Sequence, residues 1–129
     1  MKKIILTLTT VFLSTVLMKS QEISFEKDKI DYGTVQYDSD GFRDFVFNNI
    51  GDSPLIIQHV QGQCGCTTTS HDGKPGWPQE PIMPKQKGII RIKYDTKRLG
   101  KFNKVITVTS NDIKGTKTIF ILGEVVEKK

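Results

Sequence analysis

The feature of this sequence that most constrains its fold is a two-residue alternation of apolar and polar side chains. In the run 90–94, Ile and Tyr alternate with Arg and Lys, and the run 106–109 alternates in the same way with threonines. Successive side chains of a strand point to opposite faces of its sheet, so this period is typical of half-buried strands. Beyond residue 20, no window of about 11 or more residues keeps the 3.6-residue period of a helix. The chain is therefore predicted to be all-β.

Further strand-like runs, separated by turn signals, predict about seven short strands. The runs cover residues 23–25, 30–35, 42–47, 55–57, 90–94, 106–109 and 119–122. Between them lie clusters of Asp, Asn, Gly, Ser and Pro, which include the turn glycines Gly51 and Gly100. About seven strands in about 100 residues are typical of an antiparallel immunoglobulin-like β-sandwich. The two distant cysteines that bracket a Trp in antibody domains are absent from this sequence.

One segment interrupts the pattern of strands and turns. Residues 69–86 contain six Gly or Pro residues and no apolar alternation, and they also carry His71, Trp77 and Met83. A structureless connection of this length is uncommon in a compact domain and is often functional. The simpler interpretation is a proline-stiffened crossover that packs Trp77 over one end of the sandwich.

The first 20 residues predict a secretory signal peptide. Met1-Lys2-Lys3 is a short positive region, Ile4 to Met18 is a nearly uncharged stretch, and Ser20 is a small residue at a plausible cleavage site. A membrane-spanning helix needs about 20 predominantly apolar residues. This stretch is shorter and contains several Ser and Thr, so an uncleaved anchor is the alternative. The expected product is periplasmic or secreted, with no membrane span after cleavage.

Charge and length indicate one domain over residues 21–129. Of 19 basic residues three lie in the leader, which leaves 16 basic against 14 acidic groups, a net charge of +2. The most basic stretch, residues 85–104, alternates along predicted strands and indicates a solvated face, whereas a nucleic-acid binder concentrates its Lys and Arg on a stripe. The domain shows no repeat, linker or low-complexity tract and is long enough for a modest core. A nucleic-acid partner is not expected.

The only two cysteines of the chain form the tripeptide Cys64-Gly65-Cys66. Residues i and i+2 of a strand point to the same face, so a strand end presents both sulfurs together. In an extended strand their Cα atoms would be about 6.5–7 Å apart, whereas a disulfide prefers about 5.5–6 Å. A bond therefore requires a kink, which Gly65 permits. Closing so short a loop contributes only about 1.6 kcal/mol, so the bridge would be a weak and easily reduced staple.

Three interpretations of the cysteine pair stay open at this point. The pair is an oxidised local kink at the end of a strand, in keeping with an oxidising compartment. Alternatively it is a thiol–disulfide exchange site, although the Cys-x-x-Cys spacing and a helical context are absent. In the third interpretation the sulfurs bind a soft metal such as Cu(I) or zinc, with His71, Met83 or His59 as further ligands. His59 falls on the opposite strand face if no bulge intervenes.

Conventional catalytic and cofactor motifs do not occur in the sequence. We find no His-Glu-x-x-His, no Gly-x-Ser-x-Gly and no phosphate-binding glycine loop. The sequence thus predicts a non-catalytic module without a cofactor, which binds or supports another envelope protein. An edge strand is the usual site for such an interaction. The alternative is a small redox or metal-binding protein centred on the cysteine pair.

Several short motifs together carry a family resemblance. They are Asn49-Ile-Gly51, Pro54-Leu55-Ile56-Ile57, Val60, Cys64-Gly65-Cys66-Thr67, Pro81-Ile82-x-Pro84, the runs 88–94 and 106–111, Gly100-Lys-Phe102 and Leu122-Gly123-Glu-Val125. Over roughly residues 24–126 the chain resembles DUF1573, a family of exported bacterial domains of unknown function that is similar to the immunoglobulin-like modules of major sperm protein and Hydin-type proteins. The resemblance implies an immunoglobulin-like fold and no established activity. Lys85 departs from the pattern, because related domains often place Gly after the proline of this turn.

Overall fold

The computed structural model describes residues 20–128, all of whose regular structure is β. The strands are β1 (Ile23–Phe25), β2 (Lys29–Gln36), β3 (Phe42–Asn49), β4 (Ile57–Gly62), β5 (Thr67–Thr68), β6 (Ser70–His71), β7 (Lys74–Pro75), β8 (Lys87–Tyr94), β9 (Gly100–Ser110) and β10 (Thr116–Val126). Seven of them have three or more residues, in agreement with the predicted number. The predicted signal peptide lies outside the described residues, apart from Ser20.

The strands form two packed four-stranded sheets, so the predicted sandwich is confirmed. The first sheet has the order β1-β3-β8-β5 and the second the order β2-β10-β9-β4. Inward-facing positions alternate with outward-facing ones along β8, where Gly88, Ile90, Ile92 and Tyr94 are buried and the residues between them are exposed. The period that predicted these strands is therefore the period of the buried face.

One pairing departs from the antiparallel prediction. β2 lies beside β10 in parallel, with Ile30 opposite Ile121 and Val35 opposite Val125. Between β1 and β2 the chain leaves the first sheet and enters the second, where β2 is the edge strand beside β10. A register shift between Leu122 and Glu124 interrupts this ladder.

The core fills the space between the sheets and ends in an aromatic cluster. The side chains of Phe45, Phe47, Ile90, Ile106 and Ile119 are essentially inaccessible to solvent. At the end of the sandwich where β8 ends and β9 begins, the rings of Tyr94 and Phe102 are stacked with centroids 3.8 Å apart. Tyr32 meets both of these rings edge-on. The Tyr32 hydroxyl donates a 2.7 Å hydrogen bond to the Gly41 carbonyl. Burial raises the pKa of the Tyr32 phenol, so the hydroxyl keeps the proton that it donates.

The proline-rich segment 69–86 is more ordered than the sequence predicts. Residues 70–75 form a small ribbon in which β6 and β7 pair antiparallel, so the expectation of a structureless connection is wrong there. The left-handed conformations of Asp72 and Gly73 make the tight turn of this ribbon. Trp77 packs against the core, which agrees with the predicted role of its side chain as a cover.

A buried asparagine organises the end of the sandwich at which β1 begins. Asn49 has no exposed surface, and its Nδ2 donates to the carbonyls of Ser53 and Ile82 at 2.8 and 2.9 Å. Its Oδ1 accepts from the Gly51 amide at 2.9 Å. Its backbone carbonyl accepts from Lys85, a residue with a φ of 68° that favours glycine. One amide side chain therefore ties the β3–β4 turn to the segment before β8.

Replacing Asn49 by alanine should destabilise the domain strongly. The change removes three side-chain hydrogen bonds and leaves the carbonyls of Ser53 and Ile82 without that donor. Because an unpaired buried polar group costs about 1–3 kcal/mol, we expect urea titration to give a free energy of unfolding lower by roughly 2–4 kcal/mol. Asn103→Ala, at an exposed position of β9, is the control and should change it by less than about 0.5 kcal/mol. Similar losses in both variants would contradict the role of Asn49.

Candidate functional site

The cysteine tripeptide lies in a turn that moves the chain from one sheet to the other. β4 is an edge strand of the second sheet and β5 is an edge strand of the first, and residues 63–66 connect them. The prediction that Cys64 and Cys66 share one face of a strand is therefore wrong. Their strand ends at Gly62, because the chain must turn there to cross between the sheets.

Within this turn the two sulfur atoms lie at disulfide-bonding distance. The Cα atoms of Cys64 and Cys66 are 5.3 Å apart, closer than in an extended strand, as the predicted kink requires. The Thr67 amide donates to the Cys64 carbonyl at 3.2 Å and closes the turn. Cys66 is only 1% exposed and belongs to the core, whereas Cys64 is half-buried. The pair thus links a core position to one nearer the surface.

Backbone hydrogen bonds fix both ends of the turn. Before it, the Gln63 amide donates to the Val105 carbonyl at 3.0 Å. After it, the Cys66 carbonyl accepts from the Asp95 amide at 2.8 Å, and Thr67 pairs with Tyr94 in the sheet. The turn is therefore anchored to β9 in one sheet and to the end of β8 in the other.

Gly62, at the end of β4, and Gly65, within the cysteine turn, have different roles. A Cβ at Gly62 would lie 2.7 Å from the Thr67 carbonyl oxygen, because β4 and β5 approach each other there. A Cβ at Gly65 would meet no atom within 4 Å, and Gly65 does not have a positive φ. Glycine is therefore required at position 62, where the two backbones approach each other, and not at position 65, where the sequence predicts it. The other predicted turn glycines, Gly51 and Gly100, lie in the β3–β4 turn and at the start of β9.

The candidate metal ligands lie in other contacts. The Nε2 of His71 is 2.9 Å from the Arg91 carbonyl oxygen, and its ring packs edge-on against Phe42. Met83 is 47% exposed and follows Ile82, which pairs with Leu55 near the opposite end of the sandwich. Within residues 20–128, no three His, Cys, Asp or Glu side chains come together as a metal site. The metal interpretation thus receives no support from the arrangement of these residues.

His59 also has a packing role. Its ring meets the ring of Trp77 edge-on, with centroids 5.6 Å apart, and the register of β4 against β9 shifts between Ile57 and His59. It borders a shallow groove of about 590 Å³ that runs along β4 and the cysteine turn. Cys64 lines the same groove, together with the glutamines and threonines on either side of the turn. An attacking thiol would reach Cys64 through this groove.

Two structurally important polar residues were not identified from the sequence. One is Asn49, which the sequence places only in a turn signal. The other is Asp112, 5% exposed, whose carboxylate accepts from the amides of Ile23 and Lys114 at 2.6 Å each. Both motifs are rich in turn residues, and only the fold shows that these side chains point inward.

No helix within residues 20–128 is long and apolar enough to cross a membrane.

Matched alanine substitutions distinguish Gly62 from Gly65. Gly62→Ala should force β4 and β5 apart and lower the free energy of unfolding by about 1–3 kcal/mol, the usual cost of overpacking. Gly65→Ala points into open space and should change it by less than about 0.5 kcal/mol while both sulfurs remain unreactive to a thiol reagent. Urea titration and thiol counting measure these outcomes. A larger loss for Gly65→Ala than for Gly62→Ala would contradict the geometry.

Comparison with solved structures places this sandwich among known folds. A protein of unknown function from Porphyromonas gingivalis W83 is 17% identical with a TM-score of 0.67, over 88% of this chain and 51% of that one. This chain therefore spans about half the length of that protein. The PapD-like domain 7 of human CEP192 is 11% identical with a TM-score of 0.63, over 85% of this chain and 89% of that one. The YadV chaperone is 14% identical with a TM-score of 0.56, over 81% and 52%.

At these identities the likeness shows the fold alone, which is the immunoglobulin-like or PapD-like sandwich. None of the curated proteins compared with the chain matches it significantly. The family model of proteins of unknown function, DUF1573, matches residues 23–125, which is most of the sequence. The chain therefore belongs to the DUF1573 family.

Proposed function

We propose that this protein is an exported, non-catalytic immunoglobulin-like module that binds or supports another protein of the cell envelope. The observation that carries the proposal is the position of the cysteine pair. Cys66 is buried in the core, and the turn that it closes is hydrogen-bonded to both sheets. The most distinctive motif of the chain thus serves the fold, and interaction with a partner falls to the outer surfaces.

The edge strands of the two sheets are poor sites for pairing with a partner strand. We therefore expect a partner to contact the sheet faces and the loops. β1 and β5 have three and two residues, too short to template a partner strand. β2 is longer, but the left-handed Gly33 interrupts it, and such irregularities discourage strand addition. The usual route of β-augmentation is therefore weak at these three edges.

The outer edge of β8 is covered by another part of the chain. The Arg91 amide donates to the Gly76 carbonyl at 2.7 Å, and the His71 ring meets the Arg91 carbonyl. On β4, the Val60 carbonyl accepts from the Thr69 hydroxyl at 2.7 Å. The segment 69–76 therefore protects both edges beside the cysteine turn. This protection supports a partner contact made through side chains instead of backbone pairing.

Thiol–disulfide exchange is the second candidate, and the exposure of Cys64 favours it. An incoming thiolate would attack the Cys64 sulfur, form a mixed disulfide and release Cys66 as the leaving thiolate. The groove that Cys64 lines has no Lys or Arg among its lining residues, and its one histidine, His59, packs on Trp77. The lining of this groove therefore offers little of the electropositive environment that typically activates a cysteine.

An oxidoreductase assay separates the two candidates. We expect the purified protein to accelerate the reduction of insulin by dithiothreitol no more than a Cys64→Ser/Cys66→Ala variant does. The variant should remain folded, because closing a three-residue loop contributes only about 1.6 kcal/mol and alanine adds no polar group at the buried position 66. Thioredoxin serves as the positive control. Acceleration by the wild type that the double variant lacks would replace the structural proposal with the redox one.

Export is tested by fractionating cells that produce the full chain. We expect the protein in the envelope or medium, with an intact mass that begins at Gln21, because Ser20 ends the predicted leader. A Lys2→Glu/Lys3→Glu variant, which removes the positive region, should reduce the exported fraction. Wild-type protein that stays in the cytoplasm with the leader attached would contradict the proposed localisation.

A further inference from the structure

Exposed aliphatic side chains are concentrated at the end of the sandwich where the described chain begins. Four residues define this apolar end, and their exposed fractions are 57% for Ile50, 42% for Ile56, 47% for Met83 and 61% for Ile113. They lie in three separate segments: the β3–β4 connection, the segment before β8 and the β9–β10 turn. Three segments thus each place large apolar side chains in solvent at one end.

Hydrogen bonds hold these segments together as one surface. The Asn111 side chain accepts from the Ile56 amide at 2.8 Å, and its backbone amide donates to the Ile56 carbonyl at 3.1 Å. The pairing of Leu55 with Ile82 brings the segments that carry Ile56 and Met83 side by side. The apolar end is therefore a fixed feature of the fold.

The first described residues of the chain are hydrogen-bonded to two loops of this surface. The carbonyls of Ser20, Gln21 and Glu22 accept backbone hydrogen bonds of 2.8–2.9 Å. Their donors are the amides of Asp52, Ile113 and Ile50, and the last two belong to the apolar end. Gly51 packs directly on the Ser20 carbonyl, where a Cβ would collide. Residues 20–22 are thus clamped between two loops of the apolar end.

This clamp places the apolar end close to whatever holds the leader. Only Lys19 separates the apolar run that ends at Met18 from Ser20. Two residue steps span at most about 7 Å. When the run 4–18 is in a bilayer, as the proposed export requires, the folded domain cannot move away from the lipid surface, and the end that it turns toward the lipid is the apolar one.

We propose that the apolar end is a lipid-contacting surface that rests on the bilayer while the leader is attached. The proposal depends on the proposed export only in placing the run 4–18 in a membrane. Apolar side chains at an interface gain by leaving water, and four of them on three segments give the domain a defined orientation. The opposite end, with Tyr37 and Leu99, would point away from the membrane.

Tryptophan scanning with quenching lipids tests the orientation. The full chain, with its leader verified by intact mass, is reconstituted in phosphatidylethanolamine and phosphatidylglycerol vesicles whose acyl chains are brominated near the headgroup. Trp77 is the only tryptophan, so Trp77→Phe gives a silent background. Ile113→Trp is compared with Leu99→Trp, at positions that are 61% and 54% exposed. We expect quenching at position 113 to be at least twofold stronger than at position 99.

A second pair keeps the test decisive if the first pair or the background fails to fold. Ile56 and Tyr37 are 42% and 41% exposed at opposite ends, and their Trp variants can be read with Trp77 in place as increments over the unsubstituted chain. Equal quenching at both ends would overturn the proposal. So would protection of position 113 from lipid together with concentration-dependent crosslinking of two chains, which would indicate a second copy on this surface. Failure of export would appear in cell fractionation and would leave these vesicle results unchanged.

Discussion

Much of this fold depends on the hydrogen bonds of one buried amide. The Asn49 side chain uses its oxygen and both hydrogens, so a loop of the β3–β4 connection and the segment before β8 are tied to the end of β3. The segment entering β1 is then clamped on the same turn through Asp52 and Ile50. A buried polar group is costly unless it is paired, and a fully paired one specifies a single arrangement of its neighbours. Asn49 thus holds two of the three segments of the apolar end, and the hydrogen bonds of Asn111 to Ile56 hold the third.

The cysteine turn between β4 and β5 is held in place by a covalent bond. β4 and β5 belong to different sheets, and the chain must cross between them within four residues. The cysteine pair shortens the turn, while the hydrogen bonds of Gln63 and Asp95 anchor it to the two sheets. The small loop contributes little to stability by itself, so its value lies in holding a local geometry.

The sequence predicted the sandwich well because the strand signal is local. The buried positions of β8, for example, are the apolar positions of its alternation. It failed where the answer depends on residues far apart in the chain. The β4 strand ends at Gly62 because Thr67 returns beside it, and the parallel pairing of β2 depends on a change of sheet after β1. The ribbon of residues 70–75 could not be predicted, because strands of two residues are too short to show an alternation of apolar and polar side chains. Asn49 and Asp112 read as turn residues, since nothing local shows that a polar side chain points inward.

The central claim is that Cys64 and Cys66 serve the fold and are not a centre of redox chemistry. The most direct test is their oxidation state in growing cells, trapped by rapid acid quenching and alkylation and read by the intact mass of the protein isolated from those cells. A structural bridge predicts a single species with no alkylated thiol in untreated cells, unchanged when the cells are exposed to a mild oxidant. A mixture of reduced and oxidised protein in untreated cells, or a mixed disulfide through Cys64, would contradict the claim.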